Sequence, residues 1–87
     1  MSWKLRSVHG DPVVKHMQYN EDKERGKEFI KIKILDADGN LDAVGEMTIE
    51  QLNAYAEIAF EPLDYAMAEY GSTTMKYIEG NKWRSIN

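Results

Sequence analysis

Three sets of residues in this chain have side chains that could do chemistry. The first is "DADGN", residues 36–40, whose alternating carboxylates resemble the start of a calcium-binding loop. Such a loop needs glycine at its sixth position, a bidentate glutamate at its twelfth, and a helix on either side. Counted from Asp36, those positions hold Leu41 and Met47, and the preceding "KEFIKIKIL" alternates as a strand does. The stretch is therefore expected to be the turn of a β-hairpin, with Gly39 and Asn40 supplying positive φ. The second set is His9, Asp11 and His16. Their spacing, "HGDPVVKH", fits no standard ligand pattern, so no metal is expected. The third comprises Ser2, Ser7, Ser72 and Ser85, none in a nucleophile motif, in a chain without cysteine. No phosphate-cradling glycine loop is present, and carboxylates on a solvated helix face lack the desolvated cleft a general acid needs. The expectation is a non-catalytic protein with no cofactor.

The distribution of charge is more informative than any motif. Eighty-seven residues carry a formal net charge of −4. Residues 1–33 hold eight Lys/Arg against five Asp/Glu, and residues 76–87 hold three against one. Between them, residues 34–75 contain nine acids and no Lys, Arg or His. A segregation this sharp constrains the partner. Size and composition set the frame: the length suits one domain spanning 1–87, and 43% hydrophobic with 30% charged residues suits a folded rather than a disordered chain. The lack of cysteine and of any long apolar run points to a reducing compartment, the cytoplasm, and to no membrane partner.

These charges must be positioned by secondary structure. "SWKLRSV" alternates Trp3 and Leu5 against Lys4 and Arg6, as a half-buried strand does. "HGDP" reads as a turn, "VVKHMQY" as a second strand and "NEDKERG" as a charged loop. In "KEFIKIKIL", Ile30, Ile32 and Ile34 face one way, while Lys27, Phe29, Lys31 and Lys33 face the other. "LDAVGE" returns as a strand, and "STTMKYIE" with "KWRSI" closes the chain as a hairpin about Gly80–Asn81. Between them, Thr48 with Gln51 reads as a capping box and Met47 with Leu52 as a hydrophobic staple. The apolar spacing then predicts one helix over 49–70, kinked at Pro62 and ended by Gly71. The predicted fold is α+β: an antiparallel sheet of five to six short strands with this long amphipathic helix packed on it. Its predicted core is Leu5, Ile30, Ile32, Ile34, Leu52, Tyr55, Ala59, Leu63 and Met67.

On a continuous helix, Glu50, Glu57, Glu61 and Asp64 fall within an arc of roughly 60°, opposite the apolar stripe and flanked by Tyr65. A solvated face ordinarily mixes Glu with Lys, since opposite charges at i,i+4 gain about 0.2–0.5 kcal/mol. Here Glu57–Glu61 and Glu61–Asp64 repel. The expected site is thus an acidic ridge of Glu50, Glu57, Glu61 and Asp64 with Tyr65 as anchor. It would mimic the charge of a nucleic acid and dock on the basic surface of a nucleic-acid-handling protein. An inhibitor or adaptor of the phage or mobile-element accessory kind fits that description. Two alternatives stand beside it. One is a nucleic-acid-binding module using Lys27, Phe29, Lys31, Lys33 and the "KWRS" around Trp83, which the acidic net charge disfavours. The other is a homodimer joined through open sheet edges.

Overall fold

The computed structural model describes residues 2–12 and 26–86. Among these residues, six strands form one antiparallel sheet: β1 (Trp3–Val8), β2 (Asp11–Pro12), β3 (Phe29–Leu35), β4 (Leu41–Thr48), β5 (Thr74–Glu79) and β6 (Lys82–Ser85). Their order across the sheet is β2-β1-β4-β3-β5-β6. The predicted "VVKHMQY" strand lies outside the described residues, as does the charged loop up to Arg25.

Alternation along β3 and β4 builds the inner layer. Ile30 stands opposite Met47, Ile32 opposite Gly45 and Ile34 opposite Ala43. Trp3 and Leu5 of β1 continue two of these rows, while Tyr77 and Met75 of β5 extend the rows of Ile32 and Ile34. Ile32, Ile34, Met47 and Met75 are fully buried, each burial being worth about 1.5–3 kcal/mol. Gly45 lies at the centre of this layer, where β1 is irregular between Leu5 and Ser7. A Cβ at Gly45 would collide with the Lys4 carbonyl oxygen and sit 2.9 Å from the Leu5 Cα. Only glycine lets β1 approach this closely.

The β3–β4 hairpin turns through residues 36–40, as expected. Asp36 accepts from the backbone amides of Asn40 (2.8 Å) and Asp38 (2.9 Å). The Asn40 amide above all holds its carboxyl below the ordinary 3.8. Gly39 alone of the expected pair takes positive φ; Asn40 does not. The expected turn at "HGDP" joins β1 to β2: its positive-φ residues are His9 and Gly10, while Pro12 sits extended in β2. Two successive positive values suit the tight turn of a hairpin.

The single kinked helix over 49–70 is not formed. Three short segments replace it: α1 (Ile49–Leu52), α2 (Ala56–Ala59) and α3 (Glu61–Tyr70), the longest having ten residues. Pro62 explains the second break. In a continuous helix it would leave the Ile58 carbonyl without its amide and press its ring against that carbonyl. Instead Pro62 falls in the first turn of α3, where a missing N–H costs nothing. The orphaned Ile58 carbonyl is served by Gln51, whose Nε2 donates to it at 2.8 Å and also to Glu61 Oε1 at 2.8 Å. Gln51 is fully buried and so ties all three segments together.

Half of the predicted capping box therefore has a different job. The Gln51 amide does donate to Thr48 Oγ1, at 3.2 Å, but its side chain does not return to Thr48. The Thr48 amide donates to the Ser2 carbonyl instead. At its other end, α3 stops at Gly71 in the left-handed conformation, whose amide donates to the Met67 carbonyl.

Breaking the helix also changes which side chains reach the core. Leu5, Ile32, Ile34, Ala59 and Leu63 are buried as predicted, with Ile30 and Leu52 half-buried against the same cluster. Tyr55 is 82% exposed and Met67 50% exposed, contrary to expectation. Residues 53–55 are not helical, so the phase that placed Tyr55 inward is lost. On α3 the buried stripe runs through Leu63 and Ala66, with Tyr70 half-buried, leaving Met67 outside it. Trp3, Ala43, Met47, Ala66 and Met75 fill the core instead.

Replacing Gln51 by methionine keeps the volume and removes both donors. It should destabilise the fold by about 1–3 kcal/mol, because the half-buried Ile58 carbonyl and the Glu61 carboxylate both lose their donor. A urea midpoint indistinguishable from that of the native chain would show that Gln51 does not hold the segments together.

Candidate functional site

The predicted acidic residues are distributed over all three helical segments. Glu50 on α1 pairs with Lys27, Nζ to Oε1 at 3.3 Å. Glu61 opens α3, half-buried, and accepts from Gln51. Tyr65 does not border a ridge: its ring is half-buried, with its centroid 5.7 Å from that of Trp3 and 6.2 Å from that of Tyr70. Glu57 on α2 and Asp64 and Glu69 on α3 are exposed and pair with no cation among the described residues. The four predicted acids thus do not share one helical arc. What the structure does bring together on α3 is Asp64 with Met67, three residues apart on the outward face. The exposed Tyr55 lies just ahead of Glu57 at the start of α2.

A second cluster was not legible as a unit. Asp42 of β4 is buried and accepts from the Ser72 hydroxyl at 2.7 Å, and His9 Nε2 stands 3.4 Å from its other oxygen. The His9 ring meets Tyr70 edge-on at 5.5 Å. Serine, histidine and aspartate meet here, but the carboxylate is the middle member. Ser72 donates to Asp42 rather than to histidine and is fully buried, so it is not presented as a nucleophile. The cluster clamps the β1–β2 turn and the end of α3 onto β4. Desolvation first, with the Tyr65 hydroxyl and the Glu69 carboxylate adding to it, raises the Tyr70 pKa above its ordinary 10.0.

The sheet face turned away from the helices carries the opposite charge. Residues directly opposite in neighbouring strands point to the same side. Ser7, Val44, Lys33, Lys76 and Ser85 form one such row across five strands, and Lys4, Glu46 and Lys31 form a second. Glu46 takes Arg6 at 2.7 Å and Lys4 at 3.7 Å. Lys33 lies over the Trp83 ring, 4.4 Å from its centroid. An open groove of about 290 Å³ runs between Arg6, Lys31, Val44, Gly45, Glu46 and Trp83. The expected strand-face set is thus assembled in part. Phe29, Lys31 and Lys33 share this face, with Lys4 lying 5.9 Å from the Phe29 ring centroid, whereas Lys27 reaches to Glu50 on α1. Sequence reasoning missed Arg6, Glu46 and Lys76, because only the strand order places them here.

Among the described residues no three His, Cys, Asp or Glu side chains converge as a metal site; His16 lies outside them. No helix among them is long and apolar enough to cross a membrane. No protein-family model, curated protein or solved structure matches the chain.

The raised Tyr70 pKa carries a sign that can be checked. A proton held more tightly in the folded state stabilises the fold fully below pH 10.0, and that contribution is lost as pH rises through the folded value. Tyr70→Phe should therefore lose less stability than the native chain above pH 10, read as the difference in melting temperature. Parallel pH profiles would refute the assignment.

Proposed function

We propose that this chain is a small, non-catalytic interaction protein, an inhibitor or adaptor. It presents the acidic helical side of the molecule to the basic surface of a nucleic-acid-handling partner. The observation that carries the reading is the outward face of α2 and α3. Glu57, Asp64 and Glu69 stand there without cation partners among the described residues, on the same helical segments as exposed Met67 and just past exposed Tyr55. Carboxylates without lysines repel one another, and the parts of Tyr55 and Met67 left in water gain nothing from folding. Both features are favourable when a partner covers them, with aromatic and methionine side chains as anchors and the carboxylates steering the approach.

Structural placement shifts the weight among the residues first considered. Glu57 and Asp64 remain available for contact. Glu50 and Glu61 are already engaged within the chain, and Tyr65 packs against Trp3. Tyr55 takes over the role of anchor. The absence of cysteine supports action in the reducing cytoplasm.

The test is affinity capture from a cytosolic lysate of the source organism, with and without nuclease, followed by quantitative binding to the protein recovered. One basic protein should be retained after nuclease treatment. Glu57→Lys combined with Asp64→Lys, or Tyr55→Ala alone, should weaken that binding by roughly 30-fold or more while the chain stays folded. The charge-reversed variant should lose a little melting temperature, because both carboxylates sit in the first turn of a helix. Equal binding by the charge-reversed variant would defeat the reading.

A further inference from the structure

The outer sheet face poses a separate problem, independent of the helical surface. Lys33 and Lys76 are direct partners in adjacent strands. Like charges so placed are destabilising, and nothing in their row of Ser7, Val44 and Ser85 neutralises them. Lys31, in the next row, pairs with no acid among the described residues. Among the described residues, five cations, Lys4, Arg6, Lys31, Lys33 and Lys76, share this face with one carboxylate, Glu46, in a chain whose net charge is −4. Trp83, 37% exposed, walls the groove on the same side.

We propose that this groove binds single-stranded nucleic acid, Trp83 stacking on a base while Lys31, Lys33, Lys76 and Arg6 hold the adjoining phosphates. The chemistry of the lining favours this occupant over an acidic peptide. A peptide carboxylate would use the cations but not the flat indole wall, whereas a nucleotide uses both. At about 290 Å³ the groove has room for a flat ring, and falls just short of the range of drug-sized ligand pockets. Its open sheet surface lets a strand run on across the Ser7–Ser85 row. Glu46 is held by Arg6 and Lys4, which leaves Lys31 facing an incoming phosphate; Lys33, over the Trp83 ring in the free chain, moves onto a phosphate as a base takes its place.

Trp83 provides its own signal, because Trp3, the other tryptophan, is buried. The experiment titrates the full chain with a fluorescein-labelled oligothymidylate of about fifteen nucleotides at ~50 mM salt. Anisotropy should rise as Trp83 emission is quenched. The logarithm of the binding constant should fall against the logarithm of salt with a slope of about −2 to −3, as for three or four phosphates. Lys76→Glu gives the sharper test. By removing a like-charged pair it should raise the melting temperature, and by removing a phosphate contact it should weaken binding roughly tenfold. Trp83→Ala should abolish the quench. Three results would overturn the proposal: no anisotropy change at low salt, native binding by Lys76→Glu, or equal competition by polyglutamate, which would make the occupant an acidic protein segment.

Discussion

Pro62 has no amide hydrogen, and most of the helical layer is arranged around that fact. A carbonyl four residues upstream must find another donor or remain half-buried and unpaired, at a cost of about 1 kcal/mol or more. The chain solves this by ending one helix at Ala59, beginning another at Glu61, and bringing in a buried glutamine from α1 to serve Ile58. That one side chain also binds Glu61, so the first carboxylate of α3 is fixed by the same contact. Breaking the helix rotates α1, α2 and α3 out of a common phase. The break at Pro62 takes Glu61 into an internal contact and leaves Asp64 facing outward, while the earlier break at residues 53–55 sends Tyr55 into solvent. Part of the surface on which the functional reading rests is thus a consequence of one missing hydrogen.

The two layers carry their charges unevenly, and the unevenness is not what stability alone selects. On the sheet face a lysine stands opposite a lysine; on the helices, carboxylates recur without lysine between them. Each such arrangement costs a few tenths of a kcal/mol, up to about 1. A domain of this size has little stability to spare. Some relief is built in: the Trp83 ring takes up Lys33, and Arg6 with Lys4 surrounds Glu46. The relief is local and leaves the sign of each face unchanged. Net charge alone conceals this, because an acidic total is compatible with a strongly basic face.

How much of this could be read beforehand depended on whether the signal was local. The Ile30–Ile32–Ile34 alternation, the Asp36 turn and the Thr48 cap each rest on residues within a few positions of one another, and each is found. The helix failed because apolar spacing happens to keep its phase through residues 53–60, where the backbone does not. A signal for the break was present: proline is favoured in the first turn of a helix and disfavoured in its interior, so Pro62 marks a start as readily as a kink. Gly45, within a strand, was likewise a sign of close backbone approach. Nothing local announces Gln51 as a tether, nor Asp42 as the shared acceptor of Ser72 and His9, thirty or more positions away from each.

The outer face lies beyond local reading for a further reason. Its rows depend on β1 and β3 both pairing with β4, and on β5 adding to the far side of β3. Lys31 and Lys33 were visible as a pair on one strand, where exposed lysines also serve to discourage edge-to-edge association. β3, however, is an interior strand of the sheet, with β4 on one side and β5 on the other. Edge protection cannot be the purpose of cations in the middle of a sheet. Once the strand order is known, that explanation falls away. What remains is a run of positive charge beside an indole, on a surface that the described helices do not cover.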